Sequence, residues 1–291
     1  MDHTPVLLAE SLHYLAIRAD GIYLDATFGA GGHSRAILAH LRGGRLIALD
    51  VDPEAARRAA AIDNAAFTFV PANFRDLERV AARLELTALD GVLFDLGVSS
   101  MQFDDARRGF SMTKSALLDM RMNPYEGRSA FDVLSSASER ELAQIFHAYG
   151  EERGARRVAR AIVSRRRAGT LPMTTTDFAR FVAGVLHRSG TRERVHPATR
   201  VFQALRIAVN GELEALHAGL HAAVGRLRKG GRVVAISFHS LEDRIVKQTL
   251  RSDERIEVLT KRPVTPGDLE IEQNPRARSA KLRAGERRLE E

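Results

Sequence analysis

Asp25-Ala26-Thr27-Phe28-Gly29-Ala30-Gly31-Gly32-His33-Ser34 stands between a β-rich run, Ile22 to Ala26, and a helical one, His33 to Leu41. Glycines at such a junction let a ligand approach the backbone at a helix N-terminus. Outward from it the alternation continues through Arg45 to Asp50, Pro53 to Ile62, Phe67 to Val70, Arg75 to Leu84 and Gly91 to Asp95. Strand and helix alternating at this spacing predict an α/β fold with a doubly wound, Rossmann-like parallel sheet. Asp25, Asp50 and Asp95 end three of the strands, so three carboxylates fall at the carboxyl edge, where open sheets bind ligands. A dinucleotide fingerprint, G-x-G-x-x-G, requires a third glycine where Ser34 stands, which disfavours a nicotinamide enzyme.

From Phe103 to Arg206 the strand pattern gives way to helical periodicity, over Ser138 to Tyr149, Glu151 to Arg167 and Thr175 to His187. A long helical stretch is expected over Thr199 to Arg228, followed by Gly230-Gly231 and a β-run, Arg232 to Phe238, that could rejoin the sheet. The expected organisation is a core from 1 to 102, a helical insertion for substrate binding from 103 to 206, and the rest of the core from 207 to 291. The end of the chain, from Asn274, reads as a basic tail holding Arg276, Arg278, Lys281, Arg283, Arg287 and Arg288.

A length of 291 residues gives room for such a core plus one further domain. The 44 Lys and Arg against 37 Asp and Glu leave a formal charge of +7, compatible with a polyanionic partner but equally with ordinary solubility. With no cysteine, disulfides, thiolate metal sites and cysteine nucleophiles are excluded. The start, Met1-Asp2-His3, lacks a basic segment, Glu10 interrupts the apolar run from Val6 to Ala9, and no stretch reaches the ~20 apolar residues that span a bilayer. A cytoplasmic protein is expected.

Asp50 lies about 20 residues beyond the glycine turn, where a carboxylate can accept both hydroxyls of a ribose. Asp52, followed by Pro53, suits the helix cap, which leaves Asp50 for a ligand. Phe74 follows the third strand and suits an adenine face or the core equally. Asp95 would be costly as a lone buried carboxylate without a donor or cation to face. His239 stands at the end of the late strand, within reach of a base or phosphate or shaping the rim, while Ser240 with Asp243 reads as a capping box. His217 and His221 share a helix face but lack the glutamate of a zincin motif, and no metal site is expected. Arg153, Arg156, Arg157 and Arg160, extended by Arg167, recur at helical spacing opposite Ala155, Val158, Ala159, Ile162 and Val163. That is a basic stripe on a packed helix, suited to a phosphate backbone. Arg192, Arg194, Arg200 and Arg206 extend it.

The glycine turn, together with Asp90-Gly-Val-Leu-Phe-Asp-Leu-Gly-Val-Ser-Ser-Met-Gln102, resembles the bacterial small-subunit ribosomal RNA methyltransferase H family. The similarity continues through H-T-P-V-L-L-A-E ending at Glu10, R-G-F-S from Arg108, L-D-M-R-M from Leu118, Y-G-E-E from Tyr149, and H-P-A-T-R-V-F-Q-A-L-R-I-A-V-N from His196. It extends through S-F-H-S-L-E-D-R-I-V-K from Ser237 and N-P-R-A-R-S-A-K-L-R from Asn274, so it covers nearly the whole chain. The resemblance implies a class I methyltransferase fold, S-adenosyl-L-methionine as cofactor, and methyl transfer to N4 of one cytidine in the decoding (P-site) region of 16S rRNA. It implies that Gly31, Gly32 and His33 hold the amino-acid end of the cofactor and Asp50 its ribose, with Phe74, Asp95 and Gln102 completing the pocket. Met101 and Met112 depart from the proline and aromatic common in the family.

A cytosine amine is a poor nucleophile, so an acceptor must orient its N–H bonds; Asp95 and Ser99 are the candidates. DNA amino-methyltransferases place Pro-Pro and an aromatic there, whereas this chain has Leu96-Gly97-Val98. Arg153, Arg156, Arg157, Arg160, Arg200, Arg206, His239, Arg276 and Arg278 are the expected RNA contacts. The expected partner is 16S rRNA within the small ribosomal subunit, and the protein a monomer or homodimer. The rival readings are an RNA-binding assembly factor without catalysis and a nicotinamide-dependent oxidoreductase.

Overall fold

A computed structural model describes residues 5–187 and 196–288. Arg192 and Arg194 lie outside them. The chain divides into two compact units, one of Met1–Gly97 with Leu213–Glu291 and one of Val98–Glu212.

The first unit is built on seven strands: β1 (Ile22–Asp25), β2 (Arg45–Asp50), β3 (Phe67–Pro71), β4 (Leu89–Asp95), β5 (Leu227–Ser237), β6 (Ile256–Val258) and β7 (Lys281–Arg287). Their order is β3-β2-β1-β4-β5-β7-β6, parallel up to β5, with β7 antiparallel to both its neighbours. This is the doubly wound, Rossmann-like sheet expected from the sequence, with one antiparallel strand inserted near its edge. Alternate residues feed two cores. Leu24, Ile47, Leu49, Val92, Phe94, Val233 and Ala235 pack on one face, and Tyr23, Leu46, Leu93, Val234 and Ile236 on the other. Strands buried on both faces explain why their sequences are apolar runs without polar alternation. Strand order reverses between β1 and β4, so the crevice opens at the carboxyl ends of those two strands, which carry Asp25 and Asp95.

One expectation about this unit is corrected. From Lys281 to Arg287 the basic tail is β7, hydrogen-bonded between β5 and β6, with Leu282 and Ala284 fully buried. Its alternation of apolar and basic residues is the period of a strand, not of a solvated arm. The helical stretch from Thr199 consists of two helices, Thr199–Asn210 and Glu212–Arg226, separated at Gly211, whose φ of 58° is left-handed. Glycine adopts that conformation without steric cost and ends the first helix there. The units divide at this break, six residues beyond the boundary drawn from sequence.

The second unit packs the helices Ala130–Ser136, Glu139–Ala148, Ala155–Arg167, Thr175–Leu186 and Thr199–Asn210 around Leu134, Leu142, Phe146, Val158, Ile162, Phe178, Val182 and Leu205. Ser129 with Asp132 and Ser138 with Glu141 form capping boxes that start the first two. The third begins at Ala155 and not at Glu151, because Glu151 takes a left-handed φ of 49°. Among the described residues, no helix is long and apolar enough to cross a membrane.

Candidate functional site

The glycine turn is held from beneath. The Oδ2 atom of Asp25 accepts the Ser34 hydroxyl at 2.6 Å, and its Oδ1 accepts the Thr27 N–H at 3.1 Å. Burial pushes this carboxyl up to about 6, partly offset by those two donors. Ser34, which breaks the dinucleotide fingerprint, is therefore a structural donor; a glycine there would leave Asp25 with one partner fewer. Gly31 has a φ of 79°, and a Cβ on it would lie 2.6 Å from the Phe28 ring. Phe28 in turn packs on Phe67 and Phe69. A Cβ on Gly32 would lie 2.3 Å from Cγ of Pro5. The loop thus follows a path that only glycines allow, and the helix Gly32–His40 starts directly behind it.

Asp50 sits across the turn. Its Oδ2 accepts the Gly29 N–H at 2.7 Å and its Oδ1 the Asp52 N–H at 2.9 Å. Burial pushes it up to about 6 as well. Each oxygen keeps a second lone pair, the acceptor capacity that two ribose hydroxyls require. Asp52 accepts the Glu54 N–H and caps the helix Pro53–Ala59, the role assigned from sequence.

At the end of β4, the backbone N–H of Asp95 donates to the Thr27 hydroxyl at 2.6 Å. Its Oδ2 lies 3.5 Å from Nδ1 of His33, and its Oδ1 is buried with no hydrogen-bond partner. Burial, then the nearby charges of Asp25 and Glu242, push this carboxyl up to about 8. A buried acceptor without a donor is rare and marks a place where a ligand can supply one. The structure therefore brings Gly31, Gly32, His33, Asp50 and Asp95 to one edge of one sheet. Phe74 is half-buried nearby in the chain order of that edge, edge-on to Phe94 at 5.7 Å, with Gly219 close against its ring. Most of its surroundings are core.

Ser99 and Gln102 belong to the second unit and are engaged with each other. The Ser99 hydroxyl accepts the Gln102 N–H at 3.2 Å, and Oε1 of Gln102 accepts the Ser99 N–H at 3.0 Å. This capping box starts the helix Ser100–Asp104 and forms without a proline at Met101. As the hydroxyl is a cap, it is a weak candidate for a proton acceptor.

His239 also caps. Its Nδ1 accepts the Glu242 N–H at 3.4 Å, and Glu242 Oε2 accepts the Phe238 N–H at 2.8 Å. The box expected from Ser240 and Asp243 is thus displaced by one residue. Asp243 pairs instead with Arg283, whose Nε lies 2.6 Å from Oδ1. Sequence spacing gave no sign of this, because a histidine is an uncommon cap and Asp243 fits the acidic position formally.

The arginines sort into two kinds. Arg153, Arg156, Arg157 and Arg160 are exposed, and Arg160 approaches Glu139 at 3.6 Å. Arg276 and Arg278 are exposed on the turn Pro275–Ser279, and Arg200 is exposed with Nη1 donating to the Glu151 carbonyl at 3.2 Å. Arg206, by contrast, makes a two-pronged pair with Glu212 at 2.8 and 2.7 Å, both side chains largely buried, so its guanidinium serves the fold of the second unit. His217 and His221 are exposed and line a cavity with Thr249, Ser252 and Asp253, which is itself paired with Arg255 at 2.7 Å.

Comparison with known proteins places the chain in a family. The model of the MraW methylase family matches residues 1–288. A protein of Geobacter sulfurreducens named ribosomal RNA small subunit methyltransferase H is 48% identical over 98% of this chain and 98% of its own length. One of the same name from Thermomicrobium roseum is 49% identical over 98% of this chain and 93% of its own. Among solved structures, an rRNA methylase from Streptococcus thermophilus aligns over 99% of this chain and 100% of its own, with a TM-score of 0.44 and 13% identity. The chain belongs to the MraW methylase family.

Proposed function

We propose that the protein methylates N4 of a specific cytidine in the decoding (P-site) region of 16S rRNA, within the small ribosomal subunit and in the cytoplasm. The observation that carries the reading is Asp95: a half-buried carboxylate at the switch point of the sheet, whose buried Oδ1 lacks a donor. The names of the relatives support rRNA as the substrate class, and the resemblance along the chain supports the amine of cytosine.

The residues present fit the cofactor. Asp50 would offer acceptors to the ribose hydroxyls, backbone N–H groups at the start of the helix Gly32–His40 would hold the carboxylate, and Asp95 would hold the cationic end. Bound there, S-adenosylmethionine would supply an electrophilic methyl, which the amine would take while the C–S bonding pair stays on sulfur. Asp95 Oδ1 accepts an N–H of the cytosine amine, orients its lone pair, and takes the proton that the nitrogen sheds. Holding the partners in line in this way supplies about 7 kcal/mol or more of the barrier. The exposed arginines of the helix Ala155–Arg167 hold the flanking RNA backbone while the target base is unstacked.

The test is nucleoside mass spectrometry on unmodified small ribosomal subunits incubated with the protein and deuterated cofactor. Labelled N4-methylcytidine supports the reading; cofactor binding without a labelled base removes the substrate assignment. Asp50→Ala is expected to weaken cofactor binding by about 1.5–3 kcal/mol, the range for hydrogen bonds to a charged group. Calorimetry showing unchanged affinity would take Asp50 out of the site. Reversing Arg156 and Arg160 to Glu is expected to spare cofactor affinity and weaken RNA binding, with a shallower dependence on salt. A filter-binding titration at several salt concentrations that shows no change would remove the stripe from the RNA surface.

A further inference from the structure

We propose that His33 and Asp95 act as one unit that holds a single proton in the free protein and gives it up when the cationic cofactor binds. The proposal rests on placing Asp95 in the cofactor pocket, and it starts from Val6. Nε2 of His33 lies 3.2 Å from the Val6 carbonyl oxygen, an atom that can only accept. Nε2 therefore carries a proton in either charge state of the ring. That fixes the role of Nδ1, which faces Asp95 Oδ2 at 3.5 Å. An ionised Asp95 beside a neutral ring would set lone pair against lone pair and leave a buried anion whose other oxygen has no donor. One proton between the two atoms removes both costs. Whether it resides on Oδ2 or on Nδ1, the pair is electrically neutral.

Two acids stand near Asp95: β1 presents Asp25 and the helix Ser240–Ser252 presents Glu242, while Nδ1 of His33 faces its Oδ2. Burial and the two acids raise Asp95 to about 8, so the proton stays in the free protein at neutral pH. The cofactor brings a sulfonium and an ammonium, and a cation within a few ångströms favours the charged carboxylate. Binding then expels the proton, and Asp95 becomes the bare acceptor that the amine requires. The empty pocket avoids a naked buried charge, and the filled one acquires its base.

Titrating the full-length protein with S-adenosylmethionine by calorimetry at pH 7, in buffers of different ionisation enthalpy, reads the number of protons exchanged. At that pH the cofactor's own amino group is still mostly charged, its usual pKa being about 7.7–8.0. Asp25 and Asp50, each near 6, are already mostly ionised and contribute little. On the order of one proton released per cofactor is expected, falling to near zero in Asp95→Asn. Wild-type binding with no release overturns the proposal and leaves the methyltransferase reading intact. Unchanged affinity in Asp95→Asn instead takes Asp95 out of the pocket. Should that variant fail to fold, nitrogen-15 shifts of the wild-type imidazoles decide: Nε2 protonated in the free protein is required, and a neutral His33 protonated on Nδ1 alone overturns the pairing.

Discussion

Arg283→Ala is expected to lower the stability of the protein by about 3–5 kcal/mol, the range for removing one partner of a buried ion pair. The guanidinium is 8% exposed and its partner Asp243 15% exposed. Burial alone would push Asp243 up; the hydrogen bond and charge of Arg283, with Lys281 and Lys247, outweigh it and leave the carboxyl below its ordinary value. A depressed carboxyl contributes stability above its unfolded pKa and loses it as pH falls through the folded one. The wild type therefore gives up this contribution only in acid. The variant lacks it at neutral pH too, because Asp243 then stays buried with only the more distant lysines. Urea unfolding followed by circular dichroism at pH 7 measures the difference. A loss below ~1 kcal/mol, coupled to weaker RNA binding, would return this segment to the solvated arm that its basic composition suggests.

Asp95→Asn is expected to cut methyl transfer about 10²–10⁴-fold, the contribution of a positioned proton acceptor, while making the cofactor-free protein more stable. The sign follows from the raised carboxyl. The folded value near 8 stands above the ordinary 3.8, so the folded state binds this proton more tightly than the unfolded one. Stability from this group is full below about 3.8 and is lost as pH rises through 8. Asparagine carries no charge to bury and removes that loss. The gain is on the order of 1–3 kcal/mol, the cost of an unsatisfied buried polar group, and it should widen between pH 5 and 8. Thermal melts across that range, beside initial rates with saturating cofactor, test both halves. Retained activity would leave the amine's proton to another group; lower stability would mean that Asp95 has a partner in the fold.

The cofactor edge was legible because each of its parts is local. A glycine turn, a carboxylate at a strand end and a capping aspartate before proline lie within a few residues of each other, and chain geometry over such distances is set by backbone sterics. Asp25 was visible as an edge carboxylate, but its duty to Ser34 and Thr27 was not. Pro5 and Val6 lie in a motif that carried the resemblance, but their contacts with Gly32 and with Nε2 of His33 were not legible. Their contact closes a loop of 27 residues between Val6 and His33, and nothing in either segment specifies the other.

The same contrast runs through the arginines. Composition marked Arg156, Arg206 and Arg283 alike as basic residues suited to a phosphate backbone. Only the fold separates the exposed Arg156 from Arg206, held by Glu212, and Arg283, held by Asp243. By itself the sequence determined the alternation of strand and helix and the acidic edge, since these depend on periodicity and on short spacings, while its long motifs carried the resemblance to the family. The tertiary structure decided which charges are spent on holding the chain together, because an ion pair depends on where distant segments meet, and only a packed core sets that.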